Sequence, residues 1–96
     1  MIMKIEALTV CRDYSDFLAY TLPDNSRFFD KMVVITSPED KVTRKLCEYH
    51  WVKCVQTDAF GEHFNKGAAI NVGLAELDLD GWVVHLDADI ALPPLF

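Results

Sequence analysis

The stretch WVVHLDADIALP (residues 82–93) decides the fold class, because it is an apolar run that ends in two carboxylates one residue apart. Valine and leucine dominate the part before the acids, which favours a strand buried on both faces, as in a parallel sheet. Ligands of open parallel sheets bind beyond the carboxyl ends of the strands. Asp87 and Asp89 therefore stand where a metal ion or a sugar hydroxyl would be bound.

Three more strand-like segments precede this run, and a helix-like segment separates each strand from the next. Short apolar runs predict strands over residues 3–10, 32–37 and 51–58. The alternation is typical of an α/β, three-layer Rossmann-like parallel sheet with right-handed crossovers. We predict about four strands in the order 3-2-1-4, which puts residues 82–87 beside the first strand and both acids near that strand's end.

The helix predictions depend on end signals and on apolar stripes. A turn cluster over residues 23–26 is expected to end the first helix at about Leu22. Three helices are predicted: residues 15–22 with Ser15 as the cap, residues 37–50 with Ser37 as the cap, and residues 65–79 with Gly81 after its end. The side chains expected to face inward are Phe17, Leu18, Thr21 and Leu22; Val42, Leu46 and Tyr49; and Ile70, Leu74 and Leu77.

Composition describes one small globular domain of 96 residues, 51% hydrophobic and 25% charged. No stretch approaches the ~20 apolar residues that a membrane span needs, and the first ten residues do not form a signal peptide. A net charge of −6 without a lysine and arginine cluster argues against nucleic acid as a partner. Cys11, Cys47 and Cys54 have no CxxC spacing, so we expect a reduced, cytoplasmic setting.

The residues suited to ligand binding or catalysis lie in the last third of the chain, HFNKGAAINVGLAELDLDGWVVHLDADIALP (residues 63–93). It resembles the donor half of GT-A glycosyltransferases, in which a helix with a basic residue and Asn-x-Gly leads into a strand that ends in Asp-x-Asp. In its motifs it is most similar to the β-1,4-galactosyltransferase type. The matching elements are Phe64-Asn65-Lys66, Asn71-Val72-Gly73, and Asp87-Ala88-Asp89 followed by Pro93.

The resemblance implies that the chain binds a nucleotide-diphospho-sugar donor with Mn²⁺ or Mg²⁺. Both ions prefer oxygen ligands, and a divalent cation stabilises the charge that develops on the leaving diphosphate. By resemblance, Asp89 would bind the metal directly, and Asp87 would contact the ribose or reach the metal through water. Lys66 would approach the phosphates or the ribose, although an arginine stands at its place in the galactosyltransferase type.

The resemblance to the GT-A fold implies further contacts with the nucleotide-sugar donor. The base and ribose would lie against the ends of the first two strands, which contain Val10, Cys11, Arg12 and Asp40. Phe64 is expected to contribute from the Phe-Asn-basic triplet, and Asp58 to line the same pocket.

Structural interpretations of the same residues stay open. Asp40 is equally well explained as a helix-capping acid, and Asp87 and Asp89 as turn residues at a strand end. Lys66 is also consistent with a solvated lysine. An apolar setting predicts that His85 is a core histidine rather than a ligand.

In GT-A enzymes the acceptor pocket, a third metal ligand and the catalytic base follow the Asp-x-Asp strand, whereas here seven residues follow Asp89. No catalytic residue is therefore predicted. We expect either a fragment of a longer glycosyltransferase, with the C-terminal half missing, or a natural half-domain. The alternative function is a non-catalytic interaction or assembly module. In both cases the last strand would be an exposed edge, so we expect self-association.

Overall fold

The computed structural model describes residues 4–62 and 65–93. Its elements in chain order are β1 (Ile5–Val10), α1 (Ser15–Asn25), a short 3₁₀ helix (Ser26–Phe28), β2 (Lys31–Thr36), α2 (Lys41–Tyr49), β3 (Lys53–Gln56), α3 (Lys66–Leu74) and β4 (Trp82–His85).

The strands form one parallel sheet in the order β3-β2-β1-β4, which confirms the predicted α/β class and strand order. β1 lies between its two neighbours, with Leu8 in register with Val33 of β2 and His85 of β4. The chain runs outward from β1 to β3 and then crosses to β4 on the other side of β1. This crossing places the carboxyl ends of β1 and β4 at the point where the strand order reverses, which is the usual ligand edge of such sheets.

Alternate residues of the strands point to opposite faces of the sheet and build two apolar clusters. α1 and α2 cover one face, and α3 covers the other. The first face buries Ala7, Cys11, Leu18, Leu22, Met32, Val34, Cys47 and Ala88. The second face buries Leu8, Val10, Val33, Ile35, Phe60, Ala69 and Leu77.

The first helix is longer than its sequence predicts. Pro23 lies inside α1, which continues to Asn25 instead of turning after Leu22. A proline in the last turn removes only one helical hydrogen bond, so the helix tolerates it there. The inward prediction for Phe17 is wrong, since 47% of this residue is exposed. The predicted cap is also wrong: Ser15 is already helical, and the cap position is Tyr14, without a side-chain capping bond.

The second helix begins later and is rotated relative to its prediction. Asp40 is the cap in place of Ser37, and its carboxylate accepts a hydrogen bond from the backbone N–H of Thr43. The inward predictions for Val42 and Tyr49 are wrong, because these residues are 64% and 80% exposed. The buried side chains of α2 are those of Thr43 and Cys47. Polar Thr43 faces inward because its hydroxyl finds a partner in Asp40.

The third helix ends at Leu74, five residues earlier than predicted, and a loop leads to β4. Buried Glu6 holds this loop, since its carboxylate accepts the backbone N–H groups of Asp78 and Leu79 at 3.0 and 2.9 Å. Leu79 has a positive φ of 59°, so the loop cannot continue the helix. None of the helices within residues 4–62 and 65–93 has the length and apolarity to cross a bilayer.

Candidate functional site

A cavity of about 420 Å³ opens at the carboxyl ends of β1 and β4. It is lined by Val10, Arg12, Tyr14, Lys66, Asp87, Ala88 and Asp89. The structure therefore brings together five of the residues proposed from sequence, namely Val10, Arg12, Lys66 and the two acids. Tyr14, which the sequence did not single out, lies among them with 53% of its surface exposed.

The two acids lie in a turn beyond the strand. β4 ends at His85, and the N–H of Ile90 donates to the carbonyl of Asp87 at 3.1 Å. Ala88 between the acids is buried, whereas Asp87 and Asp89 are exposed. The buried alanine anchors the turn to the core and leaves both carboxylates on the solvent side.

Asp87 is already paired with a cation. The ammonium of Lys66 donates to its Oδ1 at 2.7 Å, and this bond together with the positive charge lowers the pKa of Asp87 below its ordinary value. Lys66 is the first residue of α3, whose start is fixed by the Asn65 side chain accepting the N–H of Ala68 at 3.1 Å. The capping of α3 therefore fixes the backbone from which the Lys66 side chain reaches Asp87.

His85 is not the core histidine that its apolar setting predicts. It is exposed because β4 is an edge strand of the sheet, and its Nε2 lies 4.0 Å from Oδ1 of Asp87. A protonated His85 would therefore add a second positive charge beside Asp87.

Asp89 makes no hydrogen bond or ion pair with any residue in the described part of the chain. Its carboxylate lines the same cavity as Asp87 and is exposed. Of the two acids, Asp89 is therefore the one whose carboxylate oxygens accept no hydrogen bond from another side chain in the described ranges.

The carboxylates of Asp87 and Asp89 are suitable ligands for a hard divalent cation that is bound together with a phosphate group. Mg²⁺ and related ions are commonly held by one or two carboxylates, with waters and substrate phosphates completing the coordination. The described residues contain no cluster of three or more histidine, cysteine, aspartate or glutamate side chains able to hold a metal. Two acids alone make a weak site, so a cation here would need oxygen ligands from a second molecule.

The charges of the cavity support the same combination. Arg12 and Lys66 balance Asp87 and Asp89, so the four side chains are neutral together. A divalent cation would give the cavity a charge of about +2, which complements a diphosphate. The guanidinium of Arg12 lies 5.6 Å from the centre of the Phe60 ring. This cation–π contact orients Arg12 at the cavity wall.

The side chains of Cys11 and Asp40 make contacts within the fold and do not line the cavity. Cys11 is 1% exposed, and its Sγ lies 3.6 Å from Oγ1 of Thr43. The carboxylate of Asp40 accepts hydrogen bonds from the Thr43 N–H and hydroxyl, the Thr36 hydroxyl and the Asp13 N–H. Burial raises the pKa of Asp40, but these bonds outweigh it and hold the pKa below its ordinary value. These contacts agree with the interpretation of Asp40 as a helix-capping acid.

The remaining predicted positions lie elsewhere. Asp58 lines a second cavity of about 400 Å³, which shares Arg12 with the first. Phe64 lies outside the described residues. Thr21 and Asn25 of α1, which sequence reasoning treated as packing and turn residues, contact the backbone between and after the acids.

Comparison of the chain with protein-family models, curated protein sequences and solved structures found no match.

Proposed function

We propose that this chain binds a nucleotide-diphospho-sugar together with a divalent cation, Mn²⁺ or Mg²⁺, as the donor half of a GT-A glycosyltransferase-like protein. The observation that carries the proposal is the meeting of Asp87, Asp89, Lys66 and Arg12 in one cavity at the switch point of the sheet. Carboxylates for a cation and basic groups for phosphates are both required by such a donor.

Each side chain has a role in this proposal. Asp89 binds the cation, because its carboxylate has no competing partner among the described residues. Asp87 contacts the ribose or reaches the cation through water. Lys66 and Arg12 contact the phosphate oxygens, where a fixed positive charge makes strong charge-assisted hydrogen bonds. When bound, the cation would offset the negative charge on the leaving diphosphate.

Transfer of the sugar is proposed only for a longer protein that contains this segment. An inverting transfer needs a general base beside the acceptor. We assign that role to none of the described residues, so donor binding is the activity proposed for this chain.

A second candidate function is an interaction or assembly module that uses the open edge of β4. Three large apolar residues on or near this edge are exposed: Leu79 by 55%, Trp82 by 64% and Ile90 by 45%. The opposite edge strand, β3, presents exposed Lys53, which discourages strand pairing, and exposed Trp51 lies just before it. Light scattering at micromolar concentration tests this candidate: a dimer favours it, and a monomer throughout the range contradicts it.

Thermal unfolding tests the donor proposal, because a ligand that binds only the folded state raises the Tm. Mn²⁺ and a nucleoside diphosphate together should raise the Tm by more than the sum of their separate effects. Asp89→Asn should abolish this excess and Asp87→Asn should reduce it. Asp80→Asn, which removes an exposed acid outside the cavity, is the matched control. An equal Tm response in all four proteins would mean that the acids only solvate a turn.

A further inference from the structure

The segment that contains the two acids leaves the sheet before it reaches them. The N–H of Leu86 donates to the carbonyl of Leu8 at 3.0 Å, and β4 itself ends one residue earlier. The turn bond between Ile90 and Asp87 closes the backbone locally but does not attach it to the sheet. The position of Asp89 therefore depends on contacts with another element.

Two side chains of α1 make those contacts. The hydroxyl of Thr21 donates to the carbonyl of Ala88 at 2.7 Å. The amide of Asn25 donates to the carbonyl of Ile90 at 2.7 Å and accepts the N–H of Leu92 at 2.9 Å. Thr21 is 6% exposed and Asn25 is 2% exposed, so the polar groups of both side chains are buried and satisfied by this segment.

One face of α1 presents both side chains to the segment that contains Asp89. Thr21 and Asn25 are four residues apart and therefore lie on the same face of α1. Four helical residues rise about 6 Å, so one turn of α1 reaches the carbonyls of both Ala88 and Ile90, which flank Asp89 in its turn.

We propose that Thr21 and Asn25 are positioning residues for the cation ligand Asp89, because their bonds hold the backbone immediately before and after it. This inference rests on the proposed function, which makes Asp89 a cation ligand. Asn25 is suited to the role because its amide is both a donor and an acceptor, and the segment presents one group of each kind.

The test measures how strongly Mn²⁺ and uridine diphosphate promote each other's binding in calorimetric titrations. Thr21→Val keeps the volume of the side chain and removes the hydroxyl, whereas Thr21→Ser keeps the hydroxyl. Asn25→Leu keeps the approximate size and removes both hydrogen bonds. Groups that orient a metal ligand typically contribute 10- to 100-fold to metal affinity. We expect the mutual enhancement to fall about 10-fold in Thr21→Val and more in Asn25→Leu, and to be retained in Thr21→Ser.

A general loss of stability is separated from loss of positioning by Glu6→Gln, which disturbs a different loop and should keep the enhancement. Affinity for uridine diphosphate without metal should stay the same in the Thr21 variants. If Asn25→Leu does not fold, the comparison of Thr21→Val with Thr21→Ser tests the inference. If the unmodified chain shows the enhancement and Thr21→Val shows the same enhancement, this inference is overturned while the proposed function stands. Absence of any enhancement in the unmodified chain would overturn the proposed function and this inference with it.

Discussion

Lys66→Met is expected to change the binding of metal and of nucleotide in opposite directions. The ammonium of Lys66 donates to Oδ1 of Asp87 at 2.7 Å, so in the proposed site it would compete with the water-mediated contact of a cation to that carboxylate. Both side chains are partly exposed, 40% and 55%, and an ion pair of this kind is worth up to about 1 kcal/mol. Removing the competitor should therefore raise the affinity for Mn²⁺ alone by up to about fivefold.

The same substitution should weaken nucleotide binding. A hydrogen bond from a charged donor contributes about 1.5–3 kcal/mol, so loss of the proposed contact to phosphate corresponds to roughly a 10- to 150-fold weaker affinity for a nucleoside diphosphate. Calorimetric titration of each ligand alone measures both effects. Lys53→Met is the matched control, because Lys53 is also ion-paired, with Glu76 at 2.6 Å, but lies outside the cavity. Unchanged affinity for both ligands in Lys66→Met would refute the role given to this lysine.

Three further predictions concern the scaffold and are measured by chemical or acid unfolding. Glu6→Gln should lower the free energy of unfolding by about 1–3 kcal/mol, because one of the two oxygens that accept N–H groups becomes an NH₂ group, which cannot accept a hydrogen bond. Gly81→Ala should be destabilising by about 1–3 kcal/mol, since its Cβ would lie 2.1 Å from the backbone oxygen of Lys4, whereas Gly67→Ala should not be destabilising because the nearest atom to its Cβ is 3.7 Å away. Asp40 has a lowered pKa, so its stabilising contribution is present above about pH 4 and is lost as the pH falls further; Asp40→Asn should reduce this acid dependence.

The strand order was predictable because it follows from coarse features of the sequence. Four apolar runs separated by helical segments leave few topologies once right-handed crossovers are required. The same reasoning located the cavity, since Val10, Lys66, Asp87 and Asp89 all stand near strand or helix ends that meet at the switch point.

The helix faces were less predictable because the apolar stripe is not the only reason for burial. Val42 and Tyr49 keep helical spacing, yet α2 buries Thr43 and Cys47 instead. Thr43 is buried because Asp40 accepts both its N–H and its hydroxyl. This is a local capping contact between residues 40 and 43, and hydrophobic periodicity does not include such contacts.

The contacts of α1 with the acid-containing turn were not predictable from local sequence. Pro23 and the polar residues around it indicate a turn, but Asn25 is held in the helix by partners 65 and 67 residues later in the chain. The i, i+4 placement of Thr21 and Asn25 is the only local signal. That signal becomes interpretable once the acid-containing turn is known to lie against the same helix.

The most direct test of the central claim is the mutual dependence of metal and nucleotide binding in the unmodified chain. Affinity for a nucleoside diphosphate is measured with and without Mn²⁺, and affinity for Mn²⁺ with and without the nucleotide, after correction for the metal–nucleotide complex that forms in buffer alone. If the carboxylates hold a cation beneath a diphosphate, both affinities rise by the same factor, since linkage is reciprocal. Affinities that do not change in either direction would contradict the claim that Asp87 and Asp89 form a donor site.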